Sequence, residues 1–242
     1  MDHHQLGPNA QTGGDVKLAA ALLVVDMQED FCPPNGSLAV AEGRDVVPLI
    51  NALLALPSFA LKIATKDWHP ANHISFAANH AGKRPFVDTC TVVNPYNALE
   101  SYETRLWPVH CVQHTPGAAL LPELDEARLD RVIEKGIDAR VEMYSAFYDP
   151  LRSPRVSDSG LAAMLKAAGI THVYVVGLAG DYCVRSTAAD AHAEGFVTYV
   201  IDEATRAVDT QAWSRCKAEI EASGVRVVSR GSPEVKQLFR EV

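Results

Sequence analysis

Short, nearly uninterrupted apolar runs recur along the chain at Ala20–Val25, Phe59–Ala64, Arg131–Ile133, His172–Val176, Phe196–Ile201 and Val225–Val228. Each is too short for a buried helix and carries little polar alternation, which is the pattern of a strand covered on both faces. Between several of them, Asp45–Leu56, Gly160–Ala168, Val184–Glu194 and Trp213–Ser223 space apolar residues three and four apart, and these segments are predicted to be amphipathic helices. Gly169, Gly195 and Gly224 stand where such helices should stop. The alternation implies an α/β fold, a doubly wound and mostly parallel sheet with helices on both faces.

One stretch breaks the rhythm. From Lys66 to about Ala119 the chain is rich in Pro, Asn, His and aromatic residues but keeps no period, and a connection of that length in a compact domain is usually functional or disordered, with the aromatics and histidines favouring function. It leaves the carboxyl end of the second predicted strand, the edge at which open parallel sheets bind ligands. Residues 1–17 are polar and Gly-rich and are expected to form a flexible arm, with His3 and His4 solvated. Residues 18–242 hold no repeat or low-complexity linker and are read as one domain.

The 242 residues are 48% hydrophobic, enough to bury a full-sized core. A formal net charge of -8 provides no basic footprint, which argues against nucleic acid and anionic membrane surfaces as partners. No apolar run approaches the ~20 residues that span a bilayer, and the first residues lack the basic-then-apolar pattern of a signal peptide. A soluble, cytoplasmic protein is expected. The five cysteines are odd in number and form no CxxC pair, unlike a disulfide framework or a thiolate zinc site. Cys32, Cys90, Cys111 and Cys216 read as small buried hydrophobes.

Cys183 stands apart. It follows the fourth predicted strand in VVGLAGDYCVRSTAADA, where small residues suit a tight strand-to-helix turn and place the thiol at the first turn of a helix. Unpaired N–H groups there lower a thiol pKa and can hold an oxyanion. Asp26 ends the first strand in LLVVDMQEDF, as either a loop-capping or a catalytic carboxylate, and Lys135 follows the third strand in RVIEKG. Nucleophile, base and cation at three strand ends make up a set that covalent catalysis can use. In TKDWHPANHISF, Asp67 and His69 point to one side of an extended chain and can chelate a divalent metal. The third ligand is expected from His110 in LWPVHC, with His73, His80 and His114 in the same loop. The first strand turns through DMQEDF rather than G-x-G-x-x-G, so the phosphate cradle of a nucleotide-dependent oxidoreductase is missing.

In their order, VVDMQEDF, TKDWHPANHISFA, LWPVHC, EKG with YSAFYD, and GLAGDYCVRSTA resemble the nicotinamidase (pyrazinamidase) branch of the isochorismatase-like cysteine hydrolases over essentially Leu22 to Val228. The resemblance implies a six-stranded parallel sheet in the order 3-2-1-4-5-6. It implies Asp26, Lys135 and Cys183 as catalytic triad, and Asp67, His69 and His110 as metal ligands, with His73 a ligand in some members only. It further implies a cis peptide between Leu178 and Ala179, an oxyanion hole from the N–H groups of Ala179 and Cys183, and Phe31, Trp107 and Tyr144 around a pyridine ring. The stretch IDARVEM before Tyr144 varies in length in the family. The implied activity is hydrolysis of nicotinamide to nicotinate and ammonia in NAD salvage; the alternative is another isochorismatase-like amidase with a different small amide substrate and no metal, against which the Asp67, His69 and His110 set speaks. One divalent ion would grip the ring nitrogen, zinc by default, since a carboxylate and two imidazoles also accept iron or manganese. The family includes monomers and larger homo-oligomers.

Overall fold

The computed structural model describes residues 19–240, so the arm expected over 1–17 lies outside the described residues. Six parallel strands build the central sheet: β1 (Ala20–Val25), β2 (Phe59–Asp67), β5 (Arg131–Lys135), β6 (His172–Leu178), β7 (Val197–Arg206) and β8 (Arg226–Val228). Their order is β5-β2-β1-β6-β7-β8. Counting these six alone, it is the expected 3-2-1-4-5-6.

Every residue of β1 is buried, as its apolar run requires at the centre of a sheet covered on both sides. Alternate side chains enter opposite layers. Leu22 and Val24 pack with Ile50 and Leu53 of α1 (Val47–Leu54). Leu23 and Val25 pack with Leu165 of α2 (Leu161–Ala167), Ala188 of α3 (Arg185–Ala193) and Ile220 of α4 (Trp213–Ala222). A short α5 (Pro233–Lys236) follows β8. Among the described residues, no helix is long and apolar enough to cross a membrane.

Two differences from the sequence reading matter. First, β3 (Thr89–Asn94) and β4 (Asn97–Arg105) form an antiparallel hairpin inside the stretch that shows no period. Val92, Asn94 and Thr104 are its only buried residues, so a mostly solvated ribbon leaves no apolar run to read. Second, β2, β5, β6 and β7 extend past the last residue of their apolar runs, ending at Asp67, Lys135, Leu178 and Arg206. In β2 and β5 the ladder continues through polar residues and so carries Asp67 and Lys135 to the site.

Candidate active site

At the carboxyl edge of the sheet, β2 pairs with β5 so that Asp67 lies opposite Lys135. Next to them, β1 turns out of the sheet at Asp26, whose φ of 50° is a left-handed value few non-glycine residues adopt. Its N–H donates to the Thr65 carbonyl at 3.2 Å, and the Thr65 hydroxyl donates to Oδ1 of Asp26 at 2.6 Å. Lys135 Nζ stands 2.9 Å from Oδ2 of Asp26, contacts Oδ1 of Asp67, and lies 3.4 Å from Cys183 Sγ. The three strand-end residues singled out in the sequence therefore meet, and all are buried. Cys183 sits in a wide π-type turn, Gly180–Val184, that leads into α3, and the Leu178–Ala179 peptide before it is cis.

Burial opposes charge on all of these groups, and the balance differs among them. For Lys135, desolvation is outweighed by the carboxylates of Asp26 and Asp67, which hold the ammonium pKa well above its usual value. For Asp67, burial is outweighed by Lys135 and His69, and the carboxyl stays ionised well below the usual range. For Asp26, burial wins over the pull of Lys135, with Asp67 adding to it, so this carboxyl is raised. Burial also pushes the Cys183 thiol well above its usual value despite Lys135. The helix-start argument for a lowered thiol pKa is thereby corrected: desolvation and two nearby carboxylates outweigh it. At rest Cys183 is a thiol, and the nearby Asp26 has its own affinity for protons raised.

Asp67 also faces the other way. Its Oδ2 lies 3.4 Å from His69 Nε2 and 3.8 Å from His110 Nε2. His69 Nδ1 is 2.9 Å from the Gly136 carbonyl and His110 Nδ1 is 2.7 Å from the Pro108 carbonyl. Each Nδ1–H donates to a carbonyl, so Nε2 is the ring atom that each histidine turns toward Asp67. His69 Nε2 is buried with no hydrogen-bond partner, an orphan that a cation would satisfy. Donor atoms of Asp67, His69 and His110 all lie within 4.8 Å of one another. One carboxylate and two imidazoles suit a borderline divalent ion and leave positions open.

His73 stays outside this set. Its ring stacks on His69 with centroids 4.0 Å apart, Nε2 is 3.1 Å from the Val141 carbonyl and Nδ1 is 2.7 Å from the Ser75 hydroxyl. Nε2–H donates to the carbonyl, so Nδ1 accepts from the serine. Burial pushes its pKa down to about 2, which keeps the ring neutral. His80 bonds the Ile74 carbonyl and His114 packs edge-on against Trp68, so neither joins the donor set.

A small cavity is lined by Cys183 and Ala179, by Asp67 and His110, and by the aromatic side chains of Phe31, Trp107 and Tyr144. Trp107 Nε1 donates to the Tyr144 hydroxyl at 2.9 Å, fixing two walls against each other. Leu38, Tyr182 and Val208 complete the lining and were not singled out in the sequence. Tyr182 adjoins Cys183 and packs edge-on to Trp107 at 4.7 Å, so its place in GDYC was a usable signal. Leu38 and Val208 carried no such signal, because only folding brings them to the mouth.

Residues 20–232 match the isochorismatase domain family. The chain is 44% identical to the nicotinamidase of Acinetobacter baylyi over 214 residues, covering 86% of this chain and 92% of that protein. Its fold is similar to the yeast nicotinamidase bound to the inhibitor nicotinaldehyde, with a TM-score of 0.80 and 34% identity over 87% of this chain and 99% of that one. It is also similar to the pyrazinamidase of Pyrococcus horikoshii in complex with zinc, with a TM-score of 0.65 and 34% identity over 87% of this chain and 98% of that one.

Proposed function

The chain belongs to the isochorismatase family, and from that premise we propose that it is a nicotinamidase, hydrolysing nicotinamide to nicotinate and ammonia through a thioester on Cys183. The observation that carries this reading is the cavity itself. Thiol, carboxylate, imidazole and aromatic side chains line one small space, so a flat molecule admitted there would meet the thiol and the donor set together. A divalent ion held by Asp67, His69 and His110 would supply a Lewis-acid contact for the ring nitrogen, with zinc as the default and iron or manganese as alternatives.

Phe31 and Trp107 border the pyridine ring and exclude water, with Tyr144 pinned behind Trp107. Asp26 takes the proton of Cys183 as sulfur bonds to the carboxamide carbon. The N–H groups of Ala179 and Cys183 receive the developing oxyanion. Asp26 then returns the proton to the amide nitrogen, the C–N bond breaks, and ammonia leaves a thioester. Water attacks that thioester while Asp26 accepts its proton, nicotinate departs and the thiol is restored. Lys135 stays charged throughout and holds the negative charge that passes between Asp26 and Cys183. The released nicotinate would enter NAD salvage in the cytoplasm.

Ammonia release from nicotinamide by the purified, zinc-loaded chain tests the activity, and Cys183→Ala tests the nucleophile. The variant is expected to lose turnover while keeping its fold and its metal. Amidase activity retained in Cys183→Ala would remove the thiol from the mechanism.

A further inference from the structure

The turn after β1 carries a buried glutamine that the mechanism above does not use. Asp26 takes the chain out of the sheet, so β2 loses its β1 neighbour two residues before it ends: Asp26 N–H is the last backbone donor from that side, and it reaches only Thr65. The next backbone groups of β2 to face that side belong to Asp67, since N–H and C=O directions alternate along a strand. Gln28 fills the gap. Its Oε1 accepts from Asp67 N–H at 2.7 Å, and its Nε2 donates to the Asp67 carbonyl at 2.8 Å and to the Ala118 carbonyl at 3.0 Å. The carboxamide thus stands where a peptide of a longer β1 would stand.

This placement bears on the site because both oxygens of the Asp67 carboxylate are committed. Oδ1 contacts Lys135, and Oδ2 faces His69 and His110. A shift of the Asp67 backbone moves the carboxylate relative to cation and imidazoles together. The same turn reaches the second ligand segment through Asp30, whose Oδ2 accepts from the N–H of Cys111, next to His110, at 2.7 Å. Gly117 permits that approach, since a Cβ there would sit 2.1 Å from Asp30 Oδ2.

We infer that Gln28 is a positioning residue for metal binding: its side-chain amide replaces the missing β1 peptide and fixes Asp67 at the spacing the donor set requires. The inference rests on reading Asp67, His69 and His110 as metal ligands, and it is tested by zinc affinity rather than by turnover. Removal of a partner that orients a ligand typically weakens binding 10–100-fold. In competition with a chromophoric chelator, Gln28→Met, similar in length but without hydrogen bonds, is expected to bind zinc at least about tenfold more weakly than the unaltered chain. Gln28→Glu keeps the acceptor for Asp67 N–H but loses both donors, and is also expected to bind more weakly, which keeps the test open if the methionine variant fails to fold. Ile220→Ala, in the opposite layer, serves as a variant destabilised without touching this turn, and its zinc affinity is expected to match the unaltered chain.

Zinc affinity within twofold of the unaltered chain in both Gln28 variants would overturn the inference. So would an equal loss in Ile220→Ala, which would make the effect one of general stability. If the unaltered chain binds zinc yet releases no ammonia from nicotinamide, the substrate reading fails while the zinc titrations still decide the role of Gln28.

Discussion

Replacing Lys135 by methionine removes the ammonium that faces Asp26, Asp67 and Cys183 while nearly preserving volume. The magnitude follows from two distances. With Nζ 2.9 Å from Asp26 and 3.4 Å from Cys183, moving the proton from thiol to carboxylate changes the attraction by only about 1 kcal/mol at an effective dielectric constant of about 20. Lys135 therefore sets how many protons the Asp26–Cys183 pair holds rather than which partner holds one. At 2.9 Å the ammonium contributes about 6 kcal/mol to the ionised pair, so without it the Asp26 carboxyl is pushed further up. Asp26, already raised by burial, would in Lys135→Met hold its proton at neutral pH and cease to act as a base. The expected loss in kcat/KM near pH 7 is about two to four orders of magnitude, the scale of a lost general base, with recovery toward alkaline conditions. The sign for stability is opposite. A carboxyl whose folded pKa is raised above its unfolded value stabilises below that unfolded value and loses the contribution as pH rises through the folded pKa, so the variant should be relatively strongest in acid. Ammonia release from pH 6 to 9, with urea unfolding at each pH, measures both. A folded variant within tenfold of the parent, or a loss that does not change with pH, would refute the reasoning.

Gly136→Ala is expected to weaken zinc binding, because Gly136 has a φ of 67° and a Cβ there would lie 2.3 Å from Cε1 of His69. Gly82→Ala, at a φ of 73° with open space around it, should show only the backbone cost of about 1 kcal/mol, and equal zinc affinity in the two would discount the His69 contact. His73, whose folded pKa is lowered to about 2, contributes stability that is complete above its ordinary value of 6.5 and lost as pH falls toward 2. Between pH 7 and 4.5 that is about 3 kcal/mol, so His73→Gln should flatten the acid limb of urea unfolding, and an unchanged limb would contradict the burial argument. Benzamide, which lacks the ring nitrogen, should be a poor substrate beside nicotinamide, and comparable turnover of the two would take ring-nitrogen contact out of recognition.

Local pattern determined the β-α alternation and all six sheet strands, because a strand buried on both faces must be apolar throughout, and that demand is written in consecutive residues. The order of those strands entered through the family resemblance, since periodicity says nothing about which strands are neighbours. Asp26 and Lys135 were legible because each ends an apolar run with a group that is costly to bury, Cys183 because it follows a small-residue turn at the start of a helix, and Asp67 and His69 because they share one face of an extended segment. Tertiary structure alone decided the rest. The hairpin was invisible because its ribbon is largely solvated, and Leu38 and Val208 reach the cavity from segments with no motif. His73 could be separated from His69 and His110 only once Val141 and Ser75 were seen to occupy its nitrogens. The protonation of Cys183 reversed for a similar reason: a helix start is a local feature, but desolvation and the fields of Asp26 and Asp67 depend on how completely the fold closes over the thiol.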